Sequence, residues 1–284
     1  MRAFDIETSR ARIHGVVGGS GPPLLLLHGI PETHVMWDDV AARLADRFTV
    51  VATDLRGFGD SSAPADIEYS MRSLAHDQVE VMAALGFGEF AVAGHDRGAR
   101  CAYRMAIDHP DRVRRLAVLD IVPTGDAFER ADQRFAIGYW VWTFLAAPAP
   151  VPETLIGGAP EQFVDHMLDA WSGAGFAFPR ASRDRYVAQF RDPGRVRAIC
   201  AQYRSAATVD TQLDLEDRTR QPIRCPTLVL WSETGPVAEW YEPLSIWREW
   251  AGAVEGSAIP AGHFLPEEAP DLVADRFARF FAPR

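Results

Sequence analysis

Three features of the 284 residues predict an α/β chain with a mostly parallel central sheet, helices on both faces and an inserted helical cap. Short apolar runs alternate with helical patterns over residues 1–123, vanish in the middle of the chain, and return towards its end. Strands are expected at Leu24–Leu27, Thr49–Ala52, Phe90–Ala93 and Leu116–Leu119. Between them, Met71–Leu85 and Ala99–Asp108 carry apolar residues at helical spacing. Such alternation favours a parallel sheet, because parallel neighbours need a crossover that a helix supplies. From about Thr124 to Glu216 the chain is aromatic and helix-compatible, broken by Pro148-Ala-Pro150-Val-Pro152 and Phe178-Pro179. The α/β rhythm resumes with Pro226–Trp231, Val254–Ile259 and a last helix near Asp271–Phe281. The expected division is a first part of the core at 1–123, a cap at 124–215 and a second part of the core at 216–284.

Composition narrows the function classes. Hydrophobic residues at 48% and charged residues at 24% are ordinary for a globular chain. A net charge of −10 argues against a nucleic-acid or anionic-membrane partner, so an anionic substrate needs a local cationic pocket. Every basic residue is arginine; with no lysine, Schiff-base chemistry, pyridoxal phosphate attachment and a Walker P-loop are excluded. Cys101, Cys200 and Cys225 fit neither a zinc spacing nor a disulfide framework. The N-terminus lacks a signal-peptide core, and the longest aliphatic run, Leu24–Leu27, is too short to span a bilayer. A soluble, cytoplasmic protein is expected.

The most informative stretch is Phe90-Ala-Val-Ala-Gly94-His95-Asp96-Arg97-Gly98-Ala99-Arg100. A strand runs through Gly-x-Asp-x-Gly directly into a helix, the context of the nucleophile elbow of α/β-hydrolase folds, with Asp in place of Ser. A carboxylate is ionised at pH 7, its reference pKa being about 3.9. It can attack an sp³ carbon to give an ester that activated water then hydrolyses. The bland alternative is an Asp that caps a helix in a tight turn.

Three further residues complete a reaction centre. His28-Gly29-Ile30-Pro31 follows the Leu24–Leu27 run, and the Ile30 N–H is expected to pair with that of Arg97 as an oxyanion hole. His263, in Gly262-His263-Phe264 after the last expected strand, is the candidate general base. Its orienting acid is expected at Asp120, which ends the Leu116–Leu119 strand, with Glu233 as the competitor.

These residues taken together resemble the fluoroacetate (haloacetate) dehalogenases of the α/β-hydrolase superfamily. The likeness runs from His28-Gly-Ile-Pro31 to Gly262-His-Phe-Leu-Pro-Glu-Glu-Ala-Pro270, and Gly-His-Asp96-Arg97-Gly-Ala-Arg100 resembles that family's version of the elbow. The resemblance implies Asp96 as nucleophile, His263 as base, Asp120 as acid, and Arg97 and Arg100 as the clamp on a substrate carboxylate. Planar, bidentate arginines suit that task on chemical grounds too. It also implies a leaving-halide site at Trp142 and Tyr203, and a homodimer. The family's histidine before the tryptophan is absent: position 141 is valine. A lost donor to a developing anion removes about 1.5–3 kcal/mol, so chloro- and bromoacids are expected to be preferred over fluoroacetate. No metal or organic cofactor is expected.

An epoxide hydrolase is the nearest alternative. It would share the Asp-His-Asp set and would need cap tyrosines to protonate the epoxide oxygen; Tyr139, Tyr186 and Tyr203 are available. Ile30 replaces the asparagine of many haloalkane dehalogenases, residue 96 is not the Ser or Cys of an esterase, and the complete set argues against a non-catalytic scaffold.

Overall fold

The computed structural model describes residues 1–282 and contains one eight-stranded sheet. Its strands are β1 (Arg2–Glu7), β2 (Arg12–Gly19), β3 (Pro23–Leu27), β4 (Thr49–Thr53), β5 (Phe90–His95), β6 (Val113–Leu119), β7 (Thr227–Ser232) and β8 (Val254–Ile259). Their spatial order is β1-β2-β4-β3-β5-β6-β7-β8. The strands from β3 to β8 run parallel, while β1 and β2 pair antiparallel at one edge.

Alternating side chains of the central strands feed two apolar layers. In β3, Leu25 and Leu27 join one cluster and Leu24 and Leu26 the other; in β6, Leu116 and Val118 oppose Ala117 and Leu119. A strand covered on both faces reads as a continuous apolar run, which is why these segments are visible in the sequence. The edge strands β1 and β2 were not expected. Their exposed faces carry Arg2, Asp5, Glu7 and Arg12, and glycines interrupt β2, so charge hides the period-two pattern.

Helices cover the sheet. The segment Met71–Ala84 starts at Ser70, whose hydroxyl accepts the Ser73 N–H at 3.2 Å, a normal N-cap. Between β6 and β7 the described residues contain no strand. Helices fill that interval, among them Gln133–Gly138, Trp140–Leu145, Val151–Gly158, Pro160–Trp171, Arg180–Phe190 and Pro193–Ser205, followed by a π-helical turn at Ala206–Asp210. This insertion is the cap. The proline-rich break at 148–152 separates two of these helices, and Pro152 lies in the first turn of the second, where its missing N–H costs nothing.

Strand order reverses at β3, which has β4 on one side and β5 on the other. In open α/β sheets the crevice beyond the carboxyl ends of the strands at such a point is the usual ligand site. Ile30 follows β3, Asp96 follows β5, Asp120 follows β6 and His263 follows β8, so all four emerge at that edge. Cys101 and Cys200 are buried free thiols and Cys225 is a partly buried one. No helix among the described residues is long and apolar enough to cross a membrane.

Candidate active site

Asp96 sits between β5 and the helix Arg97–Asp108 with φ 43° and ψ −111°, a conformation that L-residues rarely adopt. It occupies the N-cap position, yet its side chain caps nothing. The capping explanation of this aspartate therefore fails. Instead its Oδ2 accepts the Ile30 N–H at 3.2 Å and its Oδ1 lies 3.9 Å from Arg100 Nε. The elbow is tight enough to demand glycine: a Cβ on Gly98 would stand 2.2 Å from the Leu27 carbonyl oxygen. On the facing turn, a Cβ on Gly29 would meet Asp96 Cβ and His95 Nδ1, each at 2.8 Å.

Burial pushes the Asp96 carboxyl up, but the positive charges of His263, Arg100, His95 and Arg97 outweigh it and hold it below the usual range. The group is thus a bare carboxylate with little solvation, ready to attack. Opposite it, His263 Nδ1 is 2.7 Å from Asp120 Oδ2. Asp120 itself has φ 54°, and its Oδ1 accepts the Ser232 N–H at 2.9 Å. With Nδ1–H directed at Asp120, the His263 Nε2 is left as the proton acceptor. Glu233, the competing acid, is exposed and makes no such contact.

The two arginines are placed differently. Arg100 lines the cavity above Asp96, donates to the Val122 carbonyl and Thr124 hydroxyl, and keeps a buried Nε without a partner. Its guanidinium lies 4.3 Å from the Trp142 ring centre. Arg97 is fully buried behind Tyr203, 4.6 Å from that ring, and donates to the Gln202 carbonyl; its Nε and Nη1 have no hydrogen-bond partner among the described residues. Arg97 is not part of the cavity wall. Trp142 and Tyr203 both are, their rings 6.3 Å apart. Buried guanidinium N–H groups without acceptors are costly unless an anion or water completes them.

Of the three tyrosines considered as acids, Tyr186 is ruled out: it is buried outside the cavity and its hydroxyl donates to Glu267 at 2.9 Å. Tyr139 and Tyr203 line the cavity and neither hydroxyl has a hydrogen-bond partner among the described residues. Tyr139 is stacked parallel on Trp142 at 5.8 Å and packed edgewise on Trp240 at 5.0 Å.

Sequence reasoning noted His95 inside the elbow but assigned it no role. Its Nδ1 is 2.8 Å from Glu32 Oε2 and its Nε2 is 2.8 Å from the His263 carbonyl oxygen. Both partners are acceptors, so both nitrogens must donate: His95 is an imidazolium, 4.5 Å from the His263 ring. Burial alone lowers its pKa, but the Glu32 carboxylate, with Asp96 and Asp120, raises it to about 9. Behind it, burial and the charge of Glu32 push the Glu267 carboxyl well above the usual range. The only hint in the sequence is that His95 lies inside the elbow, since Glu32 and Glu267 join it from distant segments.

One expected result follows. His95→Gln leaves Glu32 buried without its counter-charge, and should lower unfolding free energy by about 3 kcal/mol in urea titration at pH 6. The folded pKa of about 9 exceeds the ordinary histidine value of 6.5, so the stabilisation is complete below pH 6.5 and fades as pH rises through 9. The gap between wild type and variant should therefore narrow towards pH 9.5; a gap that is constant with pH would exclude a charged His95.

The α/β hydrolase fold family matches residues 22–270. A fluoroacetate dehalogenase of Burkholderia sp. is 42% identical over 98% of this chain and 92% of its own length. A soluble epoxide hydrolase of Corynebacterium sp. (strain C12) is 31% identical over 96% of this chain and 94% of its own. Among solved structures, an α/β hydrolase of Nostoc sp. PCC 7120 superposes with a TM-score of 0.97 at 48% identity, covering 100% of this chain and 98% of that one. Strand order, the cap between β6 and β7, the Gly-x-Asp-x-Gly elbow and the buried Asp-His-Asp network agree with these matches: the chain belongs to the α/β hydrolase fold family and is a hydrolytic enzyme related to both fluoroacetate dehalogenases and epoxide hydrolases.

Proposed function

We propose that this enzyme hydrolyses small carboxylate-bearing electrophiles in two steps through an ester on Asp96. The observation that carries the reading is the Asp96 carboxylate itself, ionised, strained and uncapped, with the His263–Asp120 pair opposite it. In the first step an Asp96 oxygen bonds to the electrophilic carbon while the bond to the leaving group breaks and its electron pair departs with that group. In the second, His263 Nε2 takes a proton from water, which adds to the ester carbonyl. The Ile30 and Arg97 N–H groups stabilise the oxyanion; collapse breaks the bond to the product oxygen, which takes the proton held on His263 and leaves as the alcohol, while the Asp96 carboxyl loses its proton to solvent and returns as the carboxylate.

The carboxylate end of the substrate is assigned from the arginines. Arg100 faces the cavity with an unused N–H, and Arg97 adds a second charge behind Tyr203. A neutral substrate gives these charges nothing to bind. The leaving group is a separate question. An epoxide oxygen gains more from the cap, because Tyr139 and Tyr203 supply two unengaged hydroxyls and Val141 supplies no donor. Burial, and after it the negative charge of Asp120, pushes the Tyr139 hydroxyl well above its usual range, so it stays protonated as an acid must before reaction. A halide is supported by the Trp142–Tyr203 pair and by the likeness to the Burkholderia enzyme.

Fluoroacetate, chloroacetate, bromoacetate, oxirane-2-carboxylate and styrene oxide separate these readings when halide and diol are measured. The acids other than fluoroacetate are expected to be turned over faster than styrene oxide, with fluoride release slowest among the halides. Diol from styrene oxide with no turnover of any acid would sink the carboxylate assignment. Silence on all five would sink the reaction.

A further inference from the structure

Beyond the reacting centre, the cavity continues further than a haloacetate needs. Its volume of about 350 Å³ lies in the range that holds drug-sized ligands, roughly 300–1,000 Å³, whereas a haloacetate has only a handful of atoms. The same cavity is lined by the cap residues Tyr139, Trp140, Ala170 and Trp171, and by Pro236 after β7. Val141, buried and apolar, joins this wall close to Trp142.

The aromatic wall begins at the chemistry. Trp171 packs perpendicular to the His263 ring at 5.5 Å, and its carbonyl accepts the His263 N–H at 2.8 Å. Tyr139 is locked between Trp142 and Trp240. A group attached to the electrophilic carbon therefore leaves Asp96 along a lane of ring faces and edges, with exposed His166 and Thr234 at the rim. Such a lane rewards a flat apolar substituent, since aromatic pairs gain beyond their buried area.

Resting on the carboxylate reading above, we propose that the preferred substrates carry an aryl or similarly flat apolar group on the reacting carbon, as in 2-aryl-2-haloacids or aryl-substituted epoxy acids. Arg100 then anchors one end and the Tyr139–Trp140–Trp171 wall the other, with the electrophilic carbon between them at Asp96.

Calorimetric binding of the wild-type enzyme to mandelate, glycolate and 1-phenylethane-1,2-diol tests this without relying on any leaving group. Full burial of a phenyl group is expected to make mandelate bind on the order of 10- to 100-fold more tightly than glycolate. Ala170→Phe, which fills part of the lane from an exposed helix position, is expected to shrink that ratio towards one. Equal affinities for mandelate and glycolate in the wild type would overturn the aryl proposal. The diol binding as tightly as mandelate would uphold the aryl wall while removing the carboxylate anchor on which the function reading depends.

Discussion

Asp96→Ala is expected to lower kcat/KM by roughly 10⁴-fold or more, the cost typical of deleting the nucleophile from a covalent mechanism. The loss should fall on kcat, because the alanine leaves Arg100 and the cap aromatics to bind substrate. Stability should fall, as it does when one partner is taken out of a buried charge cluster. Asp96 is held at φ 43° and its carboxylate is buried among four positive groups without capping its helix. Alanine at the same φ keeps the backbone strain and leaves the buried guanidinium and imidazolium groups without the carboxylate that offsets them. The measurement is a pair: steady-state kinetics on the best substrate of the panel, and urea unfolding of the same preparations. A variant that keeps more than a hundredth of wild-type kcat would mean that the bond to carbon is made elsewhere, for instance by water activated directly at His263.

His263→Gln has a different expected signature, because it spares the first step. Asp96 remains ionised beside Arg100, so the leaving group should still be released once per active site. Hydrolysis of the ester then lacks its base, and turnover should drop by about 10²–10⁴-fold. The protein should accumulate a covalent adduct of one substrate fragment on the peptide that contains Asp96, visible by mass spectrometry of the intact chain and its digest. A burst of leaving group equal to the enzyme concentration, followed by near-silence, is the kinetic counterpart. Loss of the burst together with turnover would mean that His263 is needed for ester formation, and the two-step assignment would have to be redrawn. Asp120 belongs to the same unit: it holds the His263 ring through Nδ1 at 2.7 Å, so its removal should resemble loss of the base more than loss of the nucleophile.

The parts of the site that were legible before any coordinates are those where local backbone demands and chemistry coincide. Gly94, Asp96 and Gly98 lie within five residues, and the glycines are required by the same turn that projects the aspartate. Asp120 was legible because it follows a strand whose end is apolar on both faces, and His263 because it lies in a Gly-His-Phe turn just after the last expected strand. The role of Arg97 came from the family resemblance, and a resemblance in sequence does not say which way a long side chain runs: of the two arginines, Arg100 alone reaches the cavity wall. Tyr186 was indistinguishable from Tyr139 for a related reason. Which face of a cap helix looks inward is decided by packing against the core, and Glu267, in the short helix just after His263, captures the Tyr186 hydroxyl. The His95–Glu32–Glu267 cluster was beyond reach because its members are 63 and 172 residues from one another and none lies in a recognisable motif for such a contact. The first two strands were missed through amphiphilic edge composition, a general weakness of pattern reading at sheet margins.

The distribution of cysteine over the fold bears on survival in the presence of a substrate that alkylates. Thiolates and free amines are the side chains that such compounds attack first, the thiolate being the reactive form of cysteine. Burial holds the Cys101 thiol far above its usual pKa, pushes Cys200 up to about 12 and Cys225 up to about 11, so none of the three offers a thiolate at neutral pH. With no lysine in the chain, side-chain amines are missing as well. With no thiolate and no side-chain amine to offer, the chain presents an alkylating substrate of the kind proposed above with few of the nucleophiles that would compete with the one carboxylate the catalytic cycle regenerates.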